Sequence, residues 1–360
     1  MCQRLNVRKE VLRLFLYALV CNLALINGGA SVGYSSIVLP ILTSNLSSIT
    51  LNAMEMPFFV SIIPLTSAIG CILCLIMLNY GRRFTMIVCS VNFSLGWILI
   101  ASSYNVLQLF IGRALTGIAL GLCSPVNEIY LAEISISSWR EVLTLTPGTA
   151  ASIGVLIVYF LGFVAKKFSG IYVIAAYSVD MITRISITID PFLITVIIGS
   201  IYFVTMVITA SCSKKIGRRL ISIISGVGIS ISLGGLAVYL QFFEDTGVVV
   251  IPFICILLYV AFGAFGFFSI PWSMIPELYP TKYINVLGIL TTILALSYDY
   301  VAIQLYPLMV TTNRNATIYF YCITAIIATV FLTVALPETR GKTKAQVEEA
   351  FRGKSQIRNL

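Results

Sequence analysis

Apolar residues run along this 360-residue chain in long blocks separated by short polar turns. A helix crosses the hydrocarbon core of a bilayer with roughly 20 apolar residues. Blocks of about that length lie at 14–36, 58–78, 84–103, 106–126, 145–165, 190–212, 219–241, 249–275, 286–310 and 316–337. A weaker stretch covers 168–185, where Asp180 and Arg184 interrupt the apolar run. The pattern predicts an all-α membrane protein of ten helices, or eleven if the weaker stretch crosses, with no soluble domain between them. It divides into an N-terminal bundle of five helices (1–165), a C-terminal bundle of five or six (166–341) and a polar, basic tail (342–360).

Composition agrees: 59% of residues are hydrophobic and only 10% charged, against about 45–50% and about 25% in soluble domains. The net charge of +9 comes with no histidine at all, which removes the commonest metal ligand and general base. The lysines and arginines sit in short clusters between apolar runs, the mark of orientation in a bilayer rather than of nucleic-acid binding. Most of the nine cysteines fall inside apolar runs without metal or disulfide spacing. No cofactor and no catalytic activity is expected: there is no nucleophile beside a base and no metal-ligand cluster. The basic start followed by Leu14–Leu25 imitates a signal peptide, yet the apolar stretch runs on to Leu42, too long for one.

Arg4, Arg8, Lys9 and Arg13 precede the first helix and predict a cytoplasmic N-terminus. The turns then alternate: no Lys or Arg from Pro40 to Pro57, Arg82 and Arg83 in the next, none near Ser102–Asn105, then Arg140. The sequons at Asn45 and Asn315 fall in loops expected outside, whereas the one at Asn92 lies within an apolar run and reads as chance. The expectation is an integral multi-pass protein of the plasma membrane with both termini cytoplasmic. Spanning 168–185 would put Lys214, Lys215, Arg218 and Arg219 outside, against the charge rule, so the ten-span arrangement is predicted.

The most specific signal is a repeat. Gly81-Arg82-Arg83 and Gly217-Arg218-Arg219 each follow an apolar helix in a tight basic turn. Positive-inside anchoring explains the arginines but not the matched triplet; internal duplication, common in secondary transporters, explains both. Pairs such as Gly28-Gly29 and Gly263 with Gly266, and Pro271 and Pro276, interrupt the apolar runs. Such breaks allow close helix approach and mark substrate sites in carriers, although membrane helices are rich in Gly and Pro anyway.

Further segments resemble the sugar porters of the major facilitator superfamily. They are Gly33-Tyr-Ser-Ser-Ile-Val-Leu-Pro40, Gly112-Arg113 with Gly117, Tyr130-Leu-Ala-Glu133 with Arg140, and Phe168-Ser-Gly-Ile171 with Tyr177. Pro271-Trp272 with Glu277 and Pro280, and Pro337-Glu-Thr-Arg-Gly-Lys-Thr343, complete the series. Within that family, Pro147–Gly154 and Tyr159 look most like insect facilitated trehalose transporters. The resemblance implies a major facilitator fold of two helix bundles and facilitated diffusion of a hexose or trehalose by alternating access. The partners it implies are a small neutral sugar and the bilayer; an oligomeric state does not follow. It also implies a gating set, Arg82, Arg83, Arg113, Glu133, Arg140, Arg218, Arg219 and Glu277, in which the acids pair with the Gly-Arg-Arg turns. Its sugar contacts would be Trp272, Tyr177, Tyr159, Tyr172 and Tyr202, with Trp272 offering a flat apolar face and one N–H. Proton symporters of this family carry an acid in the first helix; residues 14–36 hold none, which favours facilitation.

The chain also departs from that pattern. Family members have twelve helices, whereas here the fifth is followed within two residues by the start of the seventh, the join falling at Lys166-Lys167. The sixth helix and the central cytoplasmic segment are missing. The family's amide pair is replaced by those lysines, and two asparagines by Tyr172 and Tyr202; a lysine has no acceptor to offer a sugar hydroxyl. A second expectation follows: a non-transporting, truncated sugar-porter-like protein acting as sensor or partner, or an inactive isoform.

Overall fold

A computed structural model describes residues 2–42, 49–52, 54–136, 139–169, 191–243, 250–279 and 284–335. They form α1 (Cys2–Leu42), α2 (Glu55–Met77), α3 (Arg82–Ala101), α4 (Val106–Ile134), a single turn α5 (Arg140–Leu143) and α6 (Thr146–Ser169). The second half holds α7 (Pro191–Ile216), α8 (Arg218–Phe242), α9 (Val250–Phe262), α10 (Ile270–Leu278), α11 (Ile284–Thr312) and α12 (Arg314–Ala335). A π-helical turn, Gly263–Phe267, joins α9 to α10, so these two make one broken span. Among the described residues, ten helices are long and apolar enough to cross a membrane. The weaker stretch lies outside the described residues from 170 onward.

Local chemistry fixes the turns. Asn105, extended at the head of α4, accepts a hydrogen bond from the Gln108 amide at 2.7 Å. That is the side-chain cap a helix start needs, since its first N–H groups have no partner within the helix. Gln108 Nε2 reaches back to the Ser102 carbonyl at 3.1 Å and so ties down the end of α3. The two Gly-Arg-Arg turns share one backbone conformation: Gly81 at φ 101°, ψ 154° and Gly217 at φ 88°, ψ 149°. They are the only positive-φ residues among those described. An L side chain is strained there, which accounts for the glycine in both copies.

The helices meet at small residues, as membrane helices do when little but packing drives them together. A Cβ on Gly29 would fall 1.9 Å from the Ala151 carbonyl oxygen, and one on Gly154 2.0 Å from that of Ile26, so α1 and α6 touch backbone to backbone. The same holds for α2 and α4, where Ser67 Oγ donates to the Gly117 carbonyl at 2.8 Å and Cys71 Sγ to Gly121 at 3.2 Å. Cys71, Cys74, Cys89 and Cys123 share one apolar core. In the second half, α8 packs on α9 and α12. The halves join along α2 with α11 and α6 with α7.

That last pair settles a question of topology. Gly148 of α6 faces Met206 of α7, while Gly199 faces Leu156 and Tyr159, so the two helices run antiparallel. The start of α6 and the end of α7 therefore share one end of the molecule, along with Arg82, Glu133 and Arg218. The described helix ends on either side of residues 170–190 sit together at the opposite end, and both Gly-Arg-Arg turns come to the same face.

Candidate functional site

Two neighbouring cavities with shared lining residues lie between the halves. One, of about 200 Å3, is lined by residues of α1, α4, the α5–α6 corner, α7, α10 and α11, among them Ser124, Glu128, Thr144, Tyr202, Trp272 and Thr292. The other, of about 760 Å3, lies toward the end opposite the arginines and includes Tyr159, Tyr202, Trp272, Tyr298 and Asp299. Tyr202, Phe268 and Trp272 line both. Trp272 stands there because the π-helical turn and Pro271 break the span just before it. An extra residue in the turn shifts the helix register and redirects the side chains that follow.

Three of the five sequence-predicted sugar contacts thus converge on one path: Tyr159, Tyr202 and Trp272. Tyr159 also donates a hydrogen bond to Ser36 Oγ at 3.3 Å, linking α6 to α1 at the wide cavity. Tyr172 and Tyr177 lie outside the described residues.

The end of the path nearest the basic turns is closed by side chains. Arg82 forms an ion pair with Glu133, joining the first Gly-Arg-Arg turn to the end of α4. Arg218, only 2% exposed, donates to the Ser273 carbonyl at 3.1 Å and to Thr144 Oγ1 at 3.2 Å. It therefore bridges α8, α10 and, across the divide, the first half. Arg219 donates to the Thr333 carbonyl of α12 at 2.6 Å. Arg83 is exposed and forms no ion pair among the described residues. Glu277 belongs to α10, but its side chain is outside the description.

Two members of the expected gating set behave otherwise. Arg113 is fully buried and meets no acid among the described residues. Its guanidinium donates to the Ser31 carbonyl at 2.6 Å and to Ser35 Oγ, and lies 4.7 Å from the centre of the Phe59 ring. It ties α1, α2 and α4 together inside one bundle; carbonyl oxygens and aromatic faces satisfy the cation in place of a carboxylate. Arg140 forms no ion pair among the described residues either, because Glu133 is held by Arg82. At the opposite end, Gln304 Nε2 of α11 donates to Ser61 Oγ of α2 at 2.9 Å, again across the halves.

The sequence reading missed Glu128 and Asp299, the two acids that the path brings into its cavities. A signal for Asp299 existed, a carboxyl in the middle of an apolar span, where such residues face cavities rather than lipid, whereas Glu128 falls just past the apolar block 106–126. Beside Glu128, Asn127 donates to Asn22 Oδ1 at 2.9 Å and Asn22 to Thr146 Oγ1 at 2.7 Å, a buried polar chain through α4, α1 and α6. Asn45 lies outside the described residues, and Asn315 sits half-buried in the first turn of α12. No group of three or more metal-ligating side chains occurs among the described residues.

Ten spans in two halves that meet along α2 with α11 and α6 with α7, a Gly-Arg-Arg turn of the same conformation in each half, and a path between the halves define an integral multi-pass membrane protein with the fold of a secondary carrier. Comparison with known proteins gives the family. The family described as "Sugar (and other) transporter" matches in two pieces, residues 22–168 and 163–351, which meet at the join read from the sequence. The chain belongs to that family. It is 22% identical to a facilitated trehalose transporter of Apis mellifera ligustica, with 94% of this chain and 88% of the relative covered. It is 21% identical to that of Bombyx mori over 96% and 88%. The first alignment is 441 positions long for a 360-residue chain, so the relative carries internal stretches that this chain lacks. Among solved structures, a double-tryptophan mutant of XylE superposes with a TM-score of 0.78 at 16% identity, covering 94% of this chain and 99% of that one. The proton:xylose symporter XylE bound to 6-bromo-6-deoxy-D-glucose gives 0.77 at 17% identity, over 94% and 98%. At these identities the structures establish the fold.

Proposed function

We propose that the chain is a carrier that moves a small neutral sugar, a hexose or trehalose, by facilitated diffusion through alternating access. The observation that carries this reading is the convergence of Tyr159, Tyr202 and Trp272 on a path between the halves, closed at the arginine end by Arg218. Aromatic faces stack on the apolar faces of a sugar ring while a phenol or indole tip serves a hydroxyl. The trehalose-transporter relatives point to the same substrate class. In this reading residues 1–165 and 166–341 move as two bodies and 342–360 form a cytoplasmic tail. Arg82, Arg83, Arg140, Arg218, Arg219, Glu133 and Glu277 serve the cytoplasmic gate, the protein resides in the plasma membrane, and Asn45 and Asn315 accept glycans outside. Tyr172 and Tyr177 complete the sugar contacts.

The arginine end is taken as cytoplasmic because the basic turns gather there. The second reading, a non-transporting relative, draws on the missing helix and the lysines at 166 and 167. Purified protein in vesicles decides between them: labelled glucose or trehalose should enter faster than into protein-free vesicles. Equal rates for both sugars would exclude the carrier reading.

A further inference from the structure

We infer that the groove between α1 and α3 is a docking site for a transmembrane helix of another chain, which lies on α3 as α12 lies on α8. The inference does not depend on the carrier reading above.

The two Gly-Arg-Arg turns put the halves in register, with Gly81, Arg83 and Cys89 corresponding to Gly217, Arg219 and Ser225. Packing keeps that register. Cys89 of α3 donates to the Ala119 carbonyl of α4, and Ser225 of α8 donates to the Phe262 carbonyl of α9. The two contacts between the halves, α2 with α11 and α7 with α6, exchange with each other under the same correspondence. Among the described residues, the spans after α3 are α4 and α6, whereas those after α8 are the α9–α10 pair, α11 and α12. The described spans of the first half therefore hold no counterpart of α12.

The cover that α12 gives α8 is specific. Arg219 donates to the Thr333 carbonyl in the last turn of α12 at 2.6 Å, and the Cys322 thiol donates to the Ser230 carbonyl at 3.5 Å. Between them, a Cβ on Gly226 would fall 2.2 Å from Thr329 Oγ1. The corresponding residues of α3 are Arg83, Ser94 and Ser90, and all three line a groove of about 830 Å3. Arg83 is exposed and forms no ion pair among the described residues. The last carbonyls of a helix lack partners and carry partial negative charge, which suits that cation. From α1, Asn27 presents an exposed amide to the same groove at the middle of its span. A hydroxyl or carbonyl of a helix satisfies such an amide, and an acyl chain does not. A second copy docked about a two-fold axis along the membrane normal would bring its own Arg83 to the same end, like charge toward like charge. The partner that fits is an apolar helix with its C-terminus at the arginine end. Because Ser90 stands where α8 has Gly226, that helix carries glycine or alanine where α12 has Thr329.

The test uses the full chain in phosphatidylcholine vesicles with a synthetic peptide of residues 314–335 carrying Thr329→Gly, and copper phenanthroline to oxidise facing thiols to disulfides. Ser94→Cys should join to Cys322 of the peptide, mapped by mass spectrometry, in a yield well above that of Leu95→Cys, which lies outside the groove lining. Adding Arg83→Gln should lower that yield about two- to fivefold at limiting peptide, the effect of one cation at a helix C-terminus. The peptide that keeps Thr329 should react less. Equal yields at positions 94 and 95, or none at either, overturn the proposal. So does a disulfide between two copies of the Ser94→Cys chain without peptide, which assigns the groove to a second copy. Loss of the product in phosphatidylglycerol vesicles overturns it in favour of an anionic lipid. If Ser94→Cys does not fold, Ile98→Cys takes its place under the same criteria, because a Cβ on Gly234, to which Ile98 corresponds, would lie 3.7 Å from Cys322 Sγ.

Discussion

Arg218 and Thr144 stand 74 residues apart in sequence, yet the guanidinium of one donates to the hydroxyl of the other at 3.2 Å, joining the two halves at the closed end of the path. A hydrogen bond from a charged donor contributes about 1.5–3 kcal/mol. If it exists only while this end is shut, Thr144→Val should shift the carrier toward the opposite opening by about tenfold to a hundredfold. Cysteine accessibility at Ser124, with an impermeant thiol reagent applied from the arginine side, would register the shift as faster labelling. Equal labelling in Thr144→Val and its parent would show that the contact does not hold the gate.

Gly81 and Gly217 share a backbone conformation that L residues avoid. Gly81→Ala and Gly217→Ala should each destabilise the protein by about 1–2 kcal/mol. Thermal unfolding in detergent should give lower midpoints for both variants, with a larger drop for the double substitution. An unchanged midpoint for either would mean that its turn relaxes freely.

Arg113 serves α1 and α2 from α4 with bonds to the Ser31 carbonyl and to Ser35 Oγ. Removing it leaves buried acceptors unpaired, each at a cost of about 1–3 kcal/mol. Arg113→Met should lower the yield of monodisperse protein sharply, and Arg113→Lys should fail to restore it, because a point charge cannot replace the planar fork. Gating variants such as Thr144→Val should leave yield unaffected, and that contrast separates the scaffold arginine from the gate arginine.

Trp272 lines both cavities. Stacking of an aromatic ring contributes roughly 0.5–1.5 kcal/mol beyond burial. Trp272→Ala should therefore raise the sugar concentration for half-maximal uptake by about three- to tenfold, with Trp272→Phe between the two. No change in that concentration would move the sugar away from Trp272.

The antiparallel packing of α6 and α7 places the Lys214–Arg219 turn at the same end as Arg82 and Arg140. A glycosylation acceptor inserted in that turn should remain unmodified in microsomes, and one placed beyond Asn313 should be modified. Modification within the 214–219 turn would mean an extra crossing between α6 and α7.

Much of this was legible in the residues. The apolar blocks predict ten spans, and the repeated Gly-Arg-Arg triplet marks the two glycines, Gly81 and Gly217, whose φ and ψ values match. α1 packs on α6 and α4, and a groove of about 830 Å3 runs along it from Tyr17 and Arg83 to Phe93 and Trp97 of α3. Val20, along it, is 65% exposed. The contacts of Arg113 were not legible, because a Gly-Arg pair reads the same whether its cation meets an acid or a set of carbonyls and aromatic faces.

The sequence by itself determined the solvent, the number of spans, the duplication and the family, because each is written in composition or in contiguous motifs. Tertiary structure alone decided which faces turn inward. Helices apolar on every side carry no stripe to say where a neighbour lies, so nothing in the pattern announced that Glu128 and Thr144 share a cavity or that Arg218 reaches across to close it. Those relationships arise from close helix approach at residues such as Gly29 and Gly121, where backbones touch and fix the rotation of one helix against the next.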